Sequence, residues 1–179
     1  VYGLKEEEHV TEDLSLVPLS DYNKTKMISE RVLLSYKDQI EIFSVHPATV
    51  CGYSPRTRLD VAVNMLTMQA LVKGEITVLG GAQTRPNVHI QDITDIFIHF
   101  LGKGRECTGI YNAGFENISI LDIANMVTEY VPATITIKPS NDPRSYRLNS
   151  DKLLATGFTP KYGVRDGITD IISAYREGR

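Results

Sequence analysis

Two observations predict an α/β fold with a largely parallel sheet, and a third shows that the sheet is incomplete. Short segments of strand character alternate with amphipathic segments of helical length along the whole chain. The 179 residues are 42% hydrophobic and 23% charged, which is the composition of a globular domain. The first fifty residues contain only about two strands, too few for a complete doubly wound sheet.

Hydrophobic periodicity and chain breakers predict the order of the elements. In sequence order we expect a polar loop over 4–18, a helix over 22–37, a strand over 40–46, a helix over 59–72, a strand over 76–79, an extended segment over 86–90, a helix over 92–101, a strand over 109–112, a helix over 120–131, a strand over 134–138, a short helix over 150–155 and a last helix over 164–175.

Cap and turn residues justify the boundaries of the helices. Ser20 or Asp21 can cap the first helix, because a side-chain oxygen there accepts from free amides of the first turn. Gly74 stops the second helix, while Ser119 caps the helix that Pro132 ends. Glycines and prolines mark the loops between elements, at positions 47, 52, 55, 80, 81, 102, 104, 139 and 143.

Composition and charge argue against several classes of protein. The net charge is −3, which gives no basic surface for nucleic acid. No apolar run approaches the roughly 18 residues that a membrane-spanning helix needs. Cys51 and Cys107 are too few for a disulfide framework, and no secretory signal pattern is visible, so we expect a reducing, cytoplasmic location.

The start of the chain has the character of a strand end. The sequence begins at Val1 without a methionine. Val1-Tyr2-Gly3 is typical of the last residues of a strand, but the sequence has no earlier residues to form the rest of that sheet. We therefore expect this sequence to be the back part of a longer protein.

The sharpest local feature is the pair Tyr22 and Lys26. Four residues apart at the start of a helix, their side chains emerge on one face. An ammonium held near a tyrosine favours the phenolate form, and the positive end of the helix acts in the same direction. The spacing therefore suits a tyrosine general base, although a surface tyrosine beside a solvated lysine would give the same pattern.

Further landmarks follow in a set order over nearly the whole chain. They are Val1-Tyr2-Gly3 about twenty residues before Tyr22, then His46-Pro47-Ala48-Thr49-Val50-Cys51-Gly52, Arg85-Pro86-Asn87-Val88-His89-Ile90-Gln91-Asp92, and Tyr111-Asn112-Ala113-Gly114. With the Tyr-x-x-x-Lys pair they resemble the extended short-chain dehydrogenase/reductases, and more narrowly the NAD-dependent nucleotide-sugar epimerase/dehydratase family. The resemblance covers essentially residues 1–179 and corresponds to the second half of that family's proteins.

The resemblance implies a division of the chain. Residues 1–50 would be the tail end of a Rossmann-like dinucleotide-binding domain, which is built on a doubly wound parallel sheet. Residues 51–179 would mainly form the smaller α/β domain that binds the nucleotide sugar, with some segments returning to the Rossmann part.

The same resemblance implies the chemistry of the site. Tyr22 would be the base that exchanges a proton with the C4 hydroxyl of a nucleotide sugar, while NAD (or NADP) takes or gives the hydride. Lys26 would favour the phenolate of Tyr22 and bind the nicotinamide ribose, and the backbone of Pro47 would lie beside the nicotinamide. The family's Gly-x-x-Gly-x-x-Gly phosphate loop, which is its main NAD-binding loop, is absent from this sequence, so we expect the fragment by itself to be inactive.

Four residues are candidates for binding the nucleotide sugar. Arg85 matches the family arginine that reaches the substrate diphosphate, a role that suits the fork of a guanidinium group. Arg144 resembles a family residue near the nucleotide, with a plain surface arginine as the alternative. Thr49 stands where the family has asparagine. Asn64 would face the nucleotide, with a solvent-facing helix residue as the alternative.

The remaining chemistry-bearing residues are interpreted as structural. His46, which stands where arginine is usual, is interpreted as a packed or hydrogen-bonded residue at a strand end. Cys51 is interpreted as a small buried hydrophobe. His89 and Asp92 would join a strand to a helix, with Asp92 as the helix cap, and no third ligand is spaced to make them a metal site.

Two helices suggest a second partner besides the substrate. The helix that begins at Tyr22 and the helix over 59–72 carry apolar side chains, and in the family these helices pair across a two-fold axis. The resemblance thus implies a homodimer, although core packing within one chain would give the same apolar pattern.

Two functions remain open from the sequence. The first is the C-terminal part of an NAD-dependent nucleotide-sugar epimerase, dehydratase or dehydrogenase. The second is a non-catalytic module that binds a nucleotide sugar or serves for dimerisation, which the absent phosphate loop and Thr49 would favour.

Overall fold

The computed structural model describes residues 2, 9–18, 20–140 and 145–178. In these ranges the helices are α1 (Asp21–Leu34), α2 (Ala62–Lys73), α3 (Ile90–Leu101), α4 (Ile120–Thr128), α5 (Asp151–Leu154) and α6 (Val164–Arg176), and the strands are β1 (Phe43–Pro47), β2 (Thr49–Cys51), β3 (Glu75–Leu79), β4 (Thr84–His89), β5 (Gly109–Ala113), β6 (Glu116–Ser119) and β7 (Thr134–Lys138). Within the same ranges, every helix is too short or too polar to cross a lipid bilayer.

The strands form mostly parallel pairs. β1 runs parallel to β5, with Phe43 opposite Gly109 and Pro47 opposite Ala113. β3 and β7 form a second parallel pair, and β4 lies between the parallel strand β2 and the antiparallel strand β6. The predicted α/β fold with a largely parallel sheet is confirmed, with β6 as its antiparallel exception.

The larger apolar core lies between the β3–β7 pair and helices α2, α4 and α6. Leu66 of α2, Ile76 of β3, Ile123 of α4 and Ile168 of α6 are completely buried in it. Each such side chain stabilises the fold by about 1.5–3 kcal/mol through burial alone. Cys51 of β2 belongs to this core, and both β2 and β4 contact α6 beside it.

A smaller core joins the β1–β5 pair to α3. Phe43 stacks on Phe100 with ring centroids 4.9 Å apart, and Tyr111 lies 4.7 Å from the same ring. Ile96 of α3 and Leu153 of α5 complete this cluster and are completely buried. The position of β1 is therefore set by aromatic packing on one of its faces.

A third apolar cluster ties the segment before α1 to the end of β1. It contains Tyr2, Val10, Ala48, Val88 and Leu148. Val10 is completely buried and forms a parallel bridge with Leu148. Through this cluster Tyr2 is brought next to the residues that follow β1.

Several predicted boundaries agree with the structure. Ser20 caps α1, since its Oγ accepts from the amide of Asn23 at 3.2 Å. Gly74 ends α2 with a left-handed backbone, φ 65°, and Ser119 caps α4. α1 ends earlier than predicted, at Leu34.

Two strands and one cap differ from the prediction. β2 lies in a segment predicted to be a loop, and β6 was not predicted, because both are short and form by pairing with β4. The cap of α3 is His89, whose Nδ1 accepts from the amide of Gln91 at 3.2 Å. The prediction of Asp92 as that cap was wrong: Asp92 is buried in the first turn and accepts from the amides of Lys161 and Tyr162.

Gly114, directly after β5, permits the closest approach between the β1–β5 pair and the third cluster. A methyl group there would lie 2.7 Å from Ala48 Cβ and 3.0 Å from Leu148 Cδ2. We expect Gly114→Ala to lower the free energy of unfolding by about 1–3 kcal/mol through overpacking, measured by urea unfolding of this chain.

Gly102→Ala is the matched control for that measurement. Its new methyl group would meet only the His99 carbonyl oxygen, at the relaxed distance of 3.7 Å. If the two variants unfold at the same urea concentration, the packing around Gly114 is not as tight as the structure shows.

Candidate active site

A pocket of about 550 Å³ opens between helix α1 and the carboxyl end of strand β1. Its volume falls within the range of about 300–1,000 Å³ that is usual for small-molecule sites. The described residues that line it are Tyr2, Tyr22, Asn23, Lys26, Ser29, Glu30, Leu33, Ser44, Val45, His46, Pro47, Ala48, Tyr146 and Leu148. Its position fits the rule that ligands of α/β proteins bind beyond the carboxyl ends of parallel strands.

Tyr22 and Lys26 lie together on the wall that α1 contributes to this pocket. The Ser20 cap sets the first turn, so residues four apart share one face. Lys26 Nζ lies 5.4 Å from the centre of the Tyr22 ring, within the range of a cation–π contact. Tyr22 is 68% exposed, which leaves its hydroxyl open to a bound molecule. Pro47 lines the facing wall, so the structure brings the three predicted residues together.

Glu30 is the third residue of the same helical face, one turn beyond Lys26. It is only 7% exposed, and its Oε2 lies 2.6 Å from His46 Nε2 and accepts from Ser44 Oγ at 2.5 Å. Its spacing from Lys26 would allow a pair along the helix, but the structure pairs Glu30 with residues of β1. This contact attaches the helix that carries Tyr22 to β1.

His46 continues a polar chain away from Glu30. Its Nδ1 lies 3.0 Å from the Tyr2 hydroxyl, and that hydroxyl donates to Asn112 Oδ1 at 2.7 Å. Burial raises the pKa of Tyr2, and the nearby carboxylate of Glu12 acts in the same direction. The interpretation of His46 as a hydrogen-bonded residue at a strand end agrees with this geometry.

Two of the predicted substrate residues lie outside the lining of the pocket. Thr49 begins β2 and is paired in register with Asn87 of β4. Arg85 lies on β4 opposite Ile118 of β6 and is half-buried. The contact of each with a nucleotide sugar stays a prediction. Arg144 lies outside the residues that the structure describes.

Asn64 has a structural task that the sequence did not indicate. It is 2% exposed, neither solvent-facing nor on the pocket. Its Oδ1 accepts from the amide of Gly52 at 3.1 Å, and its Nδ2 donates to the carbonyl oxygens of Gly52 and Arg58 at 3.3 and 2.9 Å. The expected nucleotide contact of Asn64 therefore has no geometric support, since both ends of the amide hold the loop after β2.

The structure adds residues near the site that sequence reasoning did not assign to it. Glu30 and Tyr2 act through long-range contacts, which no local pattern indicates. The sequence contained one sign that Glu30 belongs to the site, namely its position four residues after Lys26 on the same helical face.

Other reactive side chains belong to the packing. Cys51 is completely buried, and burial raises the pKa of its thiol to about 12, so it is the small hydrophobe that was predicted. His89 is buried and lies 3.1 Å from an oxygen of Asp170. The described part of the chain contains no cluster of three or more side chains of the types that hold a metal ion.

Comparison with known proteins identifies the family. The model of the NAD dependent epimerase/dehydratase family matches residues 1–114. The chain belongs to this family.

Curated members of the epimerase/dehydratase family match almost the entire chain. An uncharacterized UDP-glucose epimerase, YtcB of Bacillus subtilis, is 29% identical over 97% of this chain and 57% of its own length. The UDP-glucose 4-epimerase of Lactobacillus helveticus is 26% identical over 96% of this chain and 59% of its own length. The human dTDP-D-glucose 4,6-dehydratase is 26% identical over 99% and 54%, respectively. The chain thus spans little more than half the length of these relatives.

Solved structures of family members share the fold. The UDP-glucuronic acid 4-epimerase of Bacillus cereus, in complex with UDP-glucuronic acid and NAD, has a TM-score of 0.83 and 29% identity, covering 100% of this chain and 59% of that protein. The UDP-glucose 4-epimerase of Thermus thermophilus, in complex with NAD, has a TM-score of 0.82 at 22% identity, covering 99% and 61%. The α/β fold is therefore that of the Rossmann-type epimerases and dehydratases.

The loop held by Asn64 yields a prediction for the neighbourhood of the site. Asn64→Ala removes three hydrogen bonds to backbone groups that are shielded from water, so we expect a loss of about 1–3 kcal/mol in the free energy of unfolding. We also expect trypsin to cleave the released loop faster, after Arg56 or Arg58. Asn125→Ala, an exposed change within helix α4, is the control. Equal cleavage rates in the two variants would contradict the assignment.

Proposed function

We propose that the protein to which this chain belongs oxidises the C4 hydroxyl of a nucleotide sugar with NAD, and that Tyr22 is the base. The observation that carries the proposal is the pocket in which Tyr22 and Lys26 face Pro47 across an opening of ligand size. Epimerases and 4,6-dehydratases both begin with this oxidation, so the proposal names the step that they share.

Tyr22 has the exposure that a base for a bound sugar requires. Tyr22 is 68% exposed, and its helix begins one residue earlier, at Asp21, with a positive end that Ser20 caps. Lys26 supplies a cation on the same face, and a cation held beside a phenol favours the phenolate. In the proposed reaction Tyr22 accepts the proton of the C4 hydroxyl, while Lys26 binds the ribose next to the nicotinamide.

The pocket residues fit one end of a dinucleotide. Ala48, Ser29 and Ser44 are small and leave room beside Pro47, while the ammonium group of Lys26 offers donors to a ribose. When bound, NAD supplies the hydride acceptor. The sequence has no Gly-x-x-Gly-x-x-Gly run for the pyrophosphate, so we expect this chain alone to show little or no turnover.

The substrate side of the site is proposed to involve Arg85, Thr49 and Arg144. Arg85 is held on β4, which is paired with β2 on one side and β6 on the other, and a guanidinium fork has the geometry to clamp a diphosphate. Two of the matched relatives are named as enzymes of UDP-glucose and dTDP-D-glucose, which supports this class of substrate.

A second copy of the chain is proposed to cover the outer face of α1. Ile28 and Val32 are 56% and 54% exposed there, one turn apart. Most of the apolar face of α2 packs inside the larger core, but Val72 at its end is 59% exposed. Exposed aliphatic side chains at helical spacing favour burial against another helix.

The role of Tyr22 can be tested in the complete protein. We expect Tyr22→Phe to lower kcat by about 100- to 10,000-fold, the usual contribution of a general base, with UDP- or dTDP-sugars and NAD as substrates. The urea midpoint should stay unchanged, because the lost hydroxyl is exposed. Tyr36→Phe, an exposed tyrosine after α1, is the control and should keep full activity. A normal kcat in the Tyr22→Phe enzyme would show that Tyr22 is not the base.

The proposed dimer predicts the effect of charges on α1. We expect the chain to sediment as a dimer, and the double variant Ile28→Asp/Val32→Asp to sediment as a monomer, because two carboxylates cannot be buried at an apolar interface. Ile98→Asp on α3, an equally exposed position, should leave the dimer intact. A dimer that survives the α1 charges would place the interface elsewhere.

A further inference from the structure

A chain of hydrogen bonds connects separate segments beside the pocket. It runs from Glu30 of α1 to His46 of β1, then to the hydroxyl of Tyr2 and on to Asn112 of β5. The side chains of His46 and Glu30 are only 12% and 7% exposed. Water therefore cannot easily replace a partner that is lost from this chain.

The donor of each bond follows from its neighbours. Asn112 Nδ2 donates to the carbonyl oxygen of Val10 at 3.1 Å, which leaves Oδ1 to accept from Tyr2. The Tyr2 hydroxyl has a single proton, and it is used on Asn112. At the 3.0 Å contact between Tyr2 and His46, Nδ1 must therefore be the donor.

A second proton lies between His46 and Glu30. The 2.6 Å separation of Nε2 and Oε2 requires a proton between them. Glu30 Oε2 also accepts from Ser44 Oγ, so this oxygen acts as an acceptor on both sides and the proton is assigned to Nε2. His46 thus carries protons on both nitrogens and forms an ion pair with the Glu30 carboxylate.

Loss of one proton from His46 would break the chain in either tautomer. With the remaining proton on Nδ1, the lone pair of Nε2 would face the Glu30 carboxylate. With it on Nε2, Tyr2 would have to turn its proton towards Nδ1 and leave the completely buried Asn112 oxygen without a donor. The first tautomer loses the hydrogen bond to Glu30, and the second keeps it only as a weaker bond from a neutral donor. The attachment of α1 is weaker in both cases.

We propose that the imidazolium of His46 is a positioning residue, which holds α1 against β1 through Glu30, and that its deprotonation loosens α1. The placement of Tyr22 and Lys26 then depends on pH; this consequence rests on the function proposed above, whereas the attachment of α1 does not. Among the residues that the structure describes, the charged and titratable groups around His46 are Glu30, Lys26 and Tyr22 on α1, Tyr2, Tyr146, and Glu12 and Asp13 in the segment over 9–18. Histidine is the residue type among them that changes charge between about pH 5 and 8.

Hydrogen exchange of this chain, followed by mass spectrometry of peptides from α1 and α2, tests the proposal without any need for turnover. From about pH 5.5 to about pH 8.5 we expect the protection of α1 to fall by about tenfold after correction for intrinsic exchange. The protection of α2 should stay constant, because α2 is held by the apolar core.

Variants at His46 separate its charge from its bulk. His46→Arg keeps a cation that can donate in two directions and should keep α1 protected at both pH values. His46→Gln should leave α1 poorly protected at both. His99→Gln, at a half-buried histidine on α3 that bonds Thr156, should behave as the original chain. Protection of α1 that does not change with pH in the original chain, or that falls as steeply in His46→Arg, would overturn the proposal, whether or not the proposed enzymatic function holds.

Discussion

The attachment of helix α1 to the rest of the protein depends on one buried polar contact, between Glu30 and His46. Glu30 is the residue that α1 buries in the described chain, and its partner lies on β1. Removing two such groups from water costs free energy, which is offset only when their further hydrogen-bonding capacity is used. Ser44 and Tyr2 provide those additional bonds. The position of α1 is therefore set by the geometry of a few polar groups, and the burial of apolar side chains of α1 contributes little to it.

This mode of attachment suits a helix that presents reactive side chains. Tyr22, Lys26 and Glu30 follow one another at four-residue intervals and share a face. An apolar stripe on that face would place the first two positions in a core, where a base could not reach a bound molecule. A single anchored carboxylate at the third position fixes the face and leaves the first two open. The pocket exists because the helix is held at one point along this face.

Features that depend on local physics could be predicted from the sequence. The Ser20 and Ser119 caps, the Gly74 stop and the spacing of Tyr22 and Lys26 are properties of single turns, and the structure contains each of them. The strands β2 and β6 could not be predicted, because pairing with β4 creates them. The burial of Asn64 and Glu30 could not be predicted for the same reason, because their hydrogen-bond partners lie on other segments.

Apolar burial holds the part of the molecule around α2, whereas directional hydrogen bonds hold α1. The stability of the fold and the position of α1 therefore depend on different interactions. The loop after β2 is held by Asn64 of α2, a helix whose apolar side chains are buried in the larger core. Disturbing that core lowers the stability of the fold as a unit, because its contacts are shared by several helices and strands. The α1 side depends on directional bonds of a titratable group, so it can open locally while the core stays folded. In the proposal for His46, a change in pH therefore acts on Tyr22 and Lys26 without acting on the loop that Asn64 holds.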